Sequence, residues 1–145
     1  MKKYSFPILK NVKINHFSLY KRTDYLDIDL SKNVYCLAGA NGLGKSTFIT
    51  IINYALTGIV KHPDRDFTWY NSISAFYNKS KGFAANYFDG RVNEENYDLA
   101  EVCLEFSIDD NEYTITRGFF EPDELRLFSK RVKGKELKIQ EQTTN

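Results

Sequence analysis

The sequence predicts an α/β fold with a mixed sheet, in which antiparallel hairpins surround one buried strand, a glycine-rich loop and the helix that follows it. Three observations carry this prediction. Val34-Tyr35-Cys36-Leu37-Ala38 is a short, almost wholly apolar run, the mark of a strand covered on both faces in a parallel sheet. Directly after it, Gly39-Ala40-Asn41-Gly42-Leu43-Gly44-Lys45-Ser46-Thr47 fits the pattern G-x-x-x-x-G-K-[ST]. Beyond the loop, Phe48, Ile51, Ile52 and Ala55 recur at helical spacing, Ile49 and Leu56 widen the stripe, and Gly58 offers a stop.

This order of strand, loop and helix is what a phosphate-binding P-loop needs, and it predicts a P-loop NTPase fold. Gly39, Gly42 and Gly44 free the backbone to turn successive N–H groups inward around a phosphate oxyanion, together with the backbone of Ala40, Asn41 and Leu43. The positive end of the helix dipole points to the same place. Lys45 is placed to reach the β- and γ-phosphates as the catalytic cation. The Ser46 hydroxyl is placed to join a Mg²⁺ shell, and Thr47 lies on the α-phosphate side.

Composition bounds the rest. A chain of 145 residues with 42% hydrophobic and 15% aromatic residues suits one domain with a filled core. No apolar run approaches the ~20 residues of a membrane span, and Met1–Pro7 has no apolar leader core, so a cytoplasmic protein is expected. Cys36 and Cys103 stand far apart, each inside an expected strand, and neither they nor His16 and His62 have metal-site spacing. A reducing compartment suits two such isolated, buried thiols.

Residues 1–22 carry Lys2, Lys3, Lys10, Lys13, Lys21 and Arg22 and no acid, although the whole chain balances at +1. Val12 and Ile14 alternate with Lys13 and Asn15, and Leu26, Ile28 and Leu30 alternate with Asp27 and Asp29, which predicts two strands joined at Lys21-Arg22-Thr23-Asp24. The basic end suits either a solvated strand face or a phosphate or nucleic-acid contact.

Residues 61–98 interleave Phe67, Trp69, Tyr70, Phe76, Tyr77, Phe83, Tyr87, Phe88 and Tyr97 with polar residues. Five basic residues (Lys61, Arg65, Lys79, Lys81, Arg91) meet six acidic ones (Asp64, Asp66, Asp89, Glu94, Glu95, Asp98). A nucleic-acid groove should be electropositive, so an insertion packing its aromatics onto the sheet is the better reading.

Val102, Leu104, Phe106 and Ile108 alternate with polar partners, then Asp109-Asp110-Asn111-Glu112 turns the chain into Tyr113, Ile115 and Arg117, giving a hairpin over 101–119. Asp109-Asp110 is a poor Walker B acid, because that strand should be apolar on both faces and Glu105 and Ser107 are not. A second hairpin is expected over 122–140 around Lys133-Gly134-Lys135. Between Arg126 and Lys138 it sets six basic residues against Glu136 alone, a candidate nucleic-acid backbone contact or a solvated tip.

The form of the loop, with Asn41-Gly42 inside it, resembles the Walker A motif of ABC-type ATPases of the SMC and RecF/RecN group, whose members maintain and repair chromosomes. Similar heads occur in anti-phage defence proteins. Val12-Lys13-Ile14-Asn15-His16-Phe17 resembles the group's first strand, and the hairpin near residues 102–119 resembles the strands after its first helix. Arg117 resembles an arginine that commonly ends this hairpin, with either a DNA contact or a salt bridge within the lobe as its role. In the group a basic side chain soon after the first strand often helps to hold the phosphates; here Ser18 follows Phe17, with Lys21 and Arg22 slightly later.

A signature motif, a Walker B Asp with its adjacent Glu, and a switch His are not identifiable in the sequence, and neither Gln140 nor Gln142 matches a Q-loop. There is no heptad run. The resemblance therefore implies that residues 1–145 are the N-terminal lobe of an ATPase head whose C-terminal lobe is absent, supplied by the same protein or another chain. It further implies ATP and Mg²⁺ sandwiched between two heads in a homodimer, head closure coupled to DNA, no membrane, and negligible hydrolysis by the lobe alone. Two other classes remain: a nucleotide-binding or structural interaction module without hydrolysis, and a compact P-loop kinase or GTPase-like enzyme, although no substrate lid or guanine motif is found.

Overall fold

The computed structural model describes residues 5–18, 25–32, 34–65 and 67–141. The expected connection at Lys21-Arg22-Thr23-Asp24, with Lys2, Lys3, Asp66 and Gln142, lies outside the described residues. Six strands form one sheet: β1 (Ile8–Asn15), β2 (Tyr25–Asp29), β3 (Glu101–Ile108), β4 (Asn111–Gly118), β5 (Leu127–Val132) and β6 (Lys135–Glu141). Their order is β2-β1-β3-β4-β5-β6, and every neighbouring pair is antiparallel.

The alternation of β1 and β3 produces the buried face. Val12 lies opposite Leu104 and Ile14 opposite Val102, Leu104 continues to Ile115 on β4, and all five side chains are buried. On the other face the same strands present polar side chains, where Lys13 pairs with Glu105 at 3.3 Å and Asn15 donates to Glu101 at 3.2 Å. Lys13 thus serves a solvated strand face. His16 takes a left-handed conformation, φ 55, ending β1 and turning Phe17 into the core.

Helix α1 (Lys45–Thr57) packs on β3 and β4. Its core stripe differs from the expected one: Phe48, Ile51, Tyr54 and Ala55 are buried, Ile52 is partly so, and Ile49 and Leu56 are exposed. Tyr54 enters the core because its hydroxyl finds the Gly118 carbonyl oxygen at 2.7 Å, which removes the cost of burying a phenol. Burial then raises its pKa well above that of free tyrosine. The helix ends at Gly58, φ 72, whose N–H donates to Tyr54 O at 2.7 Å. A Cβ there would lie 2.1 Å from the Pro122 carbonyl oxygen, so only glycine fits.

The aromatic insertion contains a second helix, α2 (Ile73–Phe88), capped by Ser72, whose hydroxyl accepts from Ala75 N at 3.1 Å. Ser80, Ala84 and Phe88 are buried at four-residue spacing. Phe88 sits among Tyr54, Phe119, Tyr87 and Phe17, with centroids 4.8, 4.6, 5.2 and 6.2 Å away. Not all the aromatics pack inward: Phe67, Trp69 and Tyr77 are exposed.

The expectation of a mixed sheet with a buried strand before the loop is corrected. Val34–Ala38 is not a strand, and Val34 is 87% and Leu37 48% exposed. Cys36, expected in a buried strand, is likewise exposed. A parallel strand needs neighbours on both sides to pair its N–H and C=O groups, and this segment joins none of the six described strands. Its sequence carries the apolar character for burial; the described fold supplies nothing to cover it.

Candidate functional site

Gly39–Thr47 leads from the exposed segment into α1. Gly42 and Gly44 take φ of 83 and 84, the left-handed region that lets the loop reverse tightly before the helix. Gly44 is the N-cap, and its carbonyl accepts the first helical bond from Phe48 N at 2.9 Å. No side chain caps this end and no acid stands in the first turn. The first N–H groups of α1 therefore have no intrahelical partner and sit at the positive end of the dipole.

Lys45 closes the loop on itself. Its Nζ donates to Gly39 O at 2.6 Å and to Ala40 O at 2.8 Å, so both ends of the loop are drawn together. Asn41, Gly42, Gly44, Lys45, Ser46 and Thr47 line an open cleft with Arg91. Ser46 is exposed, and Thr47 Oγ1 accepts from the Tyr87 hydroxyl at 3.3 Å. Gly39 and Ala40 contribute through their carbonyls, while the Leu43 side chain is 66% exposed. Among the described residues the lining is one ammonium, one guanidinium, two hydroxyls, an amide and backbone N–H groups, with no carboxylate. That donor set fits a phosphate chain and leaves a hydroxyl free for magnesium.

A family model described as an AAA domain matches residues 11–145. The chain belongs to the AAA domain family. It is therefore a P-loop NTPase by family, a class of nucleotide-binding ATPases. No curated protein and no solved structure matches the chain.

The AAA domain also places the residues outside the loop. Arg91, which no sequence pattern singled out, closes the cleft from the turn after α2. Only tertiary structure brings it there, since forty-odd residues separate it from the loop. Arg117 takes a structural role within the lobe, on carbonyls in place of the expected carboxylate: it is 7% exposed, and its guanidinium donates to Ala55 O at 3.1 Å, Pro122 O at 2.6 Å and Glu124 O at 3.2 Å. It ties the end of α1 to the 122–124 turn, and burial lowers its pKa. Arg117→Met should cost about 2–4 kcal/mol in denaturant unfolding, because three carbonyls lose their donor.

The basic hairpin is partly neutralised in the AAA domain. Arg126 pairs with Glu121 at 2.7 Å and Glu101 at 3.1 Å, and Arg131 pairs with Glu112 at 3.1 Å. Lys130 stands over the Tyr113 ring, 5.6 Å from its centroid. The Glu121 carboxyl is held low by its bonds from Arg126. Asp109, at the β3–β4 turn with φ 52, accepts from the Ser5 hydroxyl at 2.7 Å and does not line the loop's cleft. Among the described residues no three His, Cys, Asp or Glu side chains gather as a metal site, and no helix is long and apolar enough to cross a membrane.

Proposed function

We propose that this AAA domain is the ATP-binding lobe of an SMC-like ATPase, completed by a second lobe that brings the remaining catalytic groups. The observation that carries the reading is the cleft at the start of α1, where Lys45, Ser46, Thr47 and free helix N–H groups converge with no carboxylate among them. Lys45 would exchange its loop carbonyls for phosphate oxygens, Ser46 would bind Mg²⁺, and the glycine loop would wrap the phosphates through its N–H groups. Bound Mg²⁺ would supply charge neutralisation between the phosphates.

The exposed apolar run at 34–38, with Ile49 and Leu56 exposed on α1, supports the need for a second lobe. In that reading ATP closes two heads in a homodimer, and the closure is coupled to DNA in genome maintenance, repair or anti-phage defence. A cytoplasmic location goes with those roles. Hydrolysis by this chain alone would be negligible, since phosphoryl transfer depends on all the parts being positioned together.

The test is calorimetric titration of the chain with ATP and with GTP, each with and without Mg²⁺. Saturable, Mg²⁺-dependent ATP binding is expected, with turnover at background. Failure of both nucleotides to bind would sink the nucleotide reading. Turnover well above background by the chain alone would sink the need for a second lobe.

A further inference from the structure

We infer that Arg91 is a second phosphate-binding cation of the nucleotide site, acting on the α-phosphate side opposite the reach of Lys45. The inference rests on the ATP reading above and goes beyond it by naming a residue outside the loop motif.

Three observations place it. Among the described residues, Arg91 is the only one lining the P-loop cleft that comes from outside Gly39–Thr47. Its guanidinium lies over the Tyr87 ring, 4.4 Å from the centroid, and one N–H donates to the Tyr87 carbonyl. The Tyr87 hydroxyl in turn donates to Thr47 Oγ1 at 3.3 Å. The guanidinium is therefore carried on a ring whose far end is fastened to Thr47, the loop residue on the α-phosphate side.

The backbone of Arg91 is fixed as well. Its N–H donates to Phe88 O at 3.0 Å and its carbonyl accepts from Ser18 N at 2.8 Å. Ser18 Oγ reaches Asn93 Oδ1 at 3.3 Å. Ser18, three residues beyond the end of β1, thus anchors the segment bearing Arg91. A guanidinium has five N–H donors in a planar fork; with one on a carbonyl and a face on a ring, the remaining donors suit phosphate oxygens. Among the described residues no acid lines the cleft to compete for them.

Position on the α side makes a sharp prediction. ATP and ADP share the α-phosphate, so a cation there should weaken both equally when removed, whereas one at the γ-phosphate should weaken ATP alone. Calorimetric titration of the wild-type chain, Arg91→Gln and Arg91→Lys with ATP–Mg²⁺ and ADP–Mg²⁺ distinguishes these. Arg91→Gln should weaken both nucleotides by the same factor, roughly tenfold or more, as loss of a charge-assisted phosphate contact. Arg91→Lys should recover part of that loss, since it keeps the charge and loses the fork.

Thermal melts of the variants check that the fold is retained; Arg91→Lys keeps the long stem that packs on Tyr87 and serves if Arg91→Gln unfolds. Unchanged affinities in folded variants, or a loss confined to ATP, would overturn the assignment while leaving the ATP reading intact. Absence of ATP binding by the wild-type chain would overturn both.

Discussion

Lys45→Ala is expected to lower ATP–Mg²⁺ affinity by about a hundredfold or more while leaving the thermal midpoint nearly unchanged. Among the described residues the ammonium hydrogen-bonds two carbonyls of an exposed loop, Gly39 O and Ala40 O. Surface changes of this kind stay within about 0.5 kcal/mol. The same ammonium would face two phosphate groups in the loaded site, where charge-assisted hydrogen bonds are each worth about 1.5–3 kcal/mol. Calorimetry and a melt on the same sample separate the two effects. Equal affinities for mutant and wild type would remove Lys45 from the site, and a collapse of the melt would mean that the loop is part of the core.

Phe88→Ala is the substitution expected to destabilise the fold most, by about 3–5 kcal/mol. Phe88 is fully buried and joins α2 to Tyr54 of α1, to Phe119 beyond β4 and to Phe17 beyond β1. Truncation leaves a cavity where both helices and the sheet meet, and aromatic pairs add about 0.5–1.5 kcal/mol beyond area burial. Denaturant unfolding followed by far-ultraviolet circular dichroism measures it. A loss below about 1 kcal/mol would mean that α2 is not docked as described.

What the sequence made legible was whatever is encoded locally. The turns and alternation of β1, β3 and β4 depend on neighbours one or two residues away, and the loop pattern leads directly into α1. Helix α2 was hidden because its buried positions include Ser80, which no apolar pattern flags, and because polar residues break the stripe between Phe76, Ala84 and Phe88. Its usable signals were the Ser72 cap and the four-residue spacing of 80, 84 and 88.

Val34–Ala38 departs from the expected strand for the opposite reason. Apolar residues state that a segment can be buried, whereas pairing and coverage belong to its neighbours. In α1 Tyr54 enters the core with a hydrogen bond to Gly118, sixty-odd residues away, which no apolar stripe records. Arg91 reaches the cleft through Tyr87 and Ser18, a relation that no linear spacing records.

The uncovered segment before the loop has a thermodynamic consequence. Residues 34–38 enter no ladder, so the loop is anchored firmly only on its helix side. If the binding-competent loop is a fraction f of the population, the apparent dissociation constant rises by 1/f, tenfold for an f of about 0.1. A strand that pairs with 34–38 would raise f and tighten nucleotide binding without touching the nucleotide. Linkage then requires the converse, by the same factor: nucleotide in the cleft would tighten the grip on that strand.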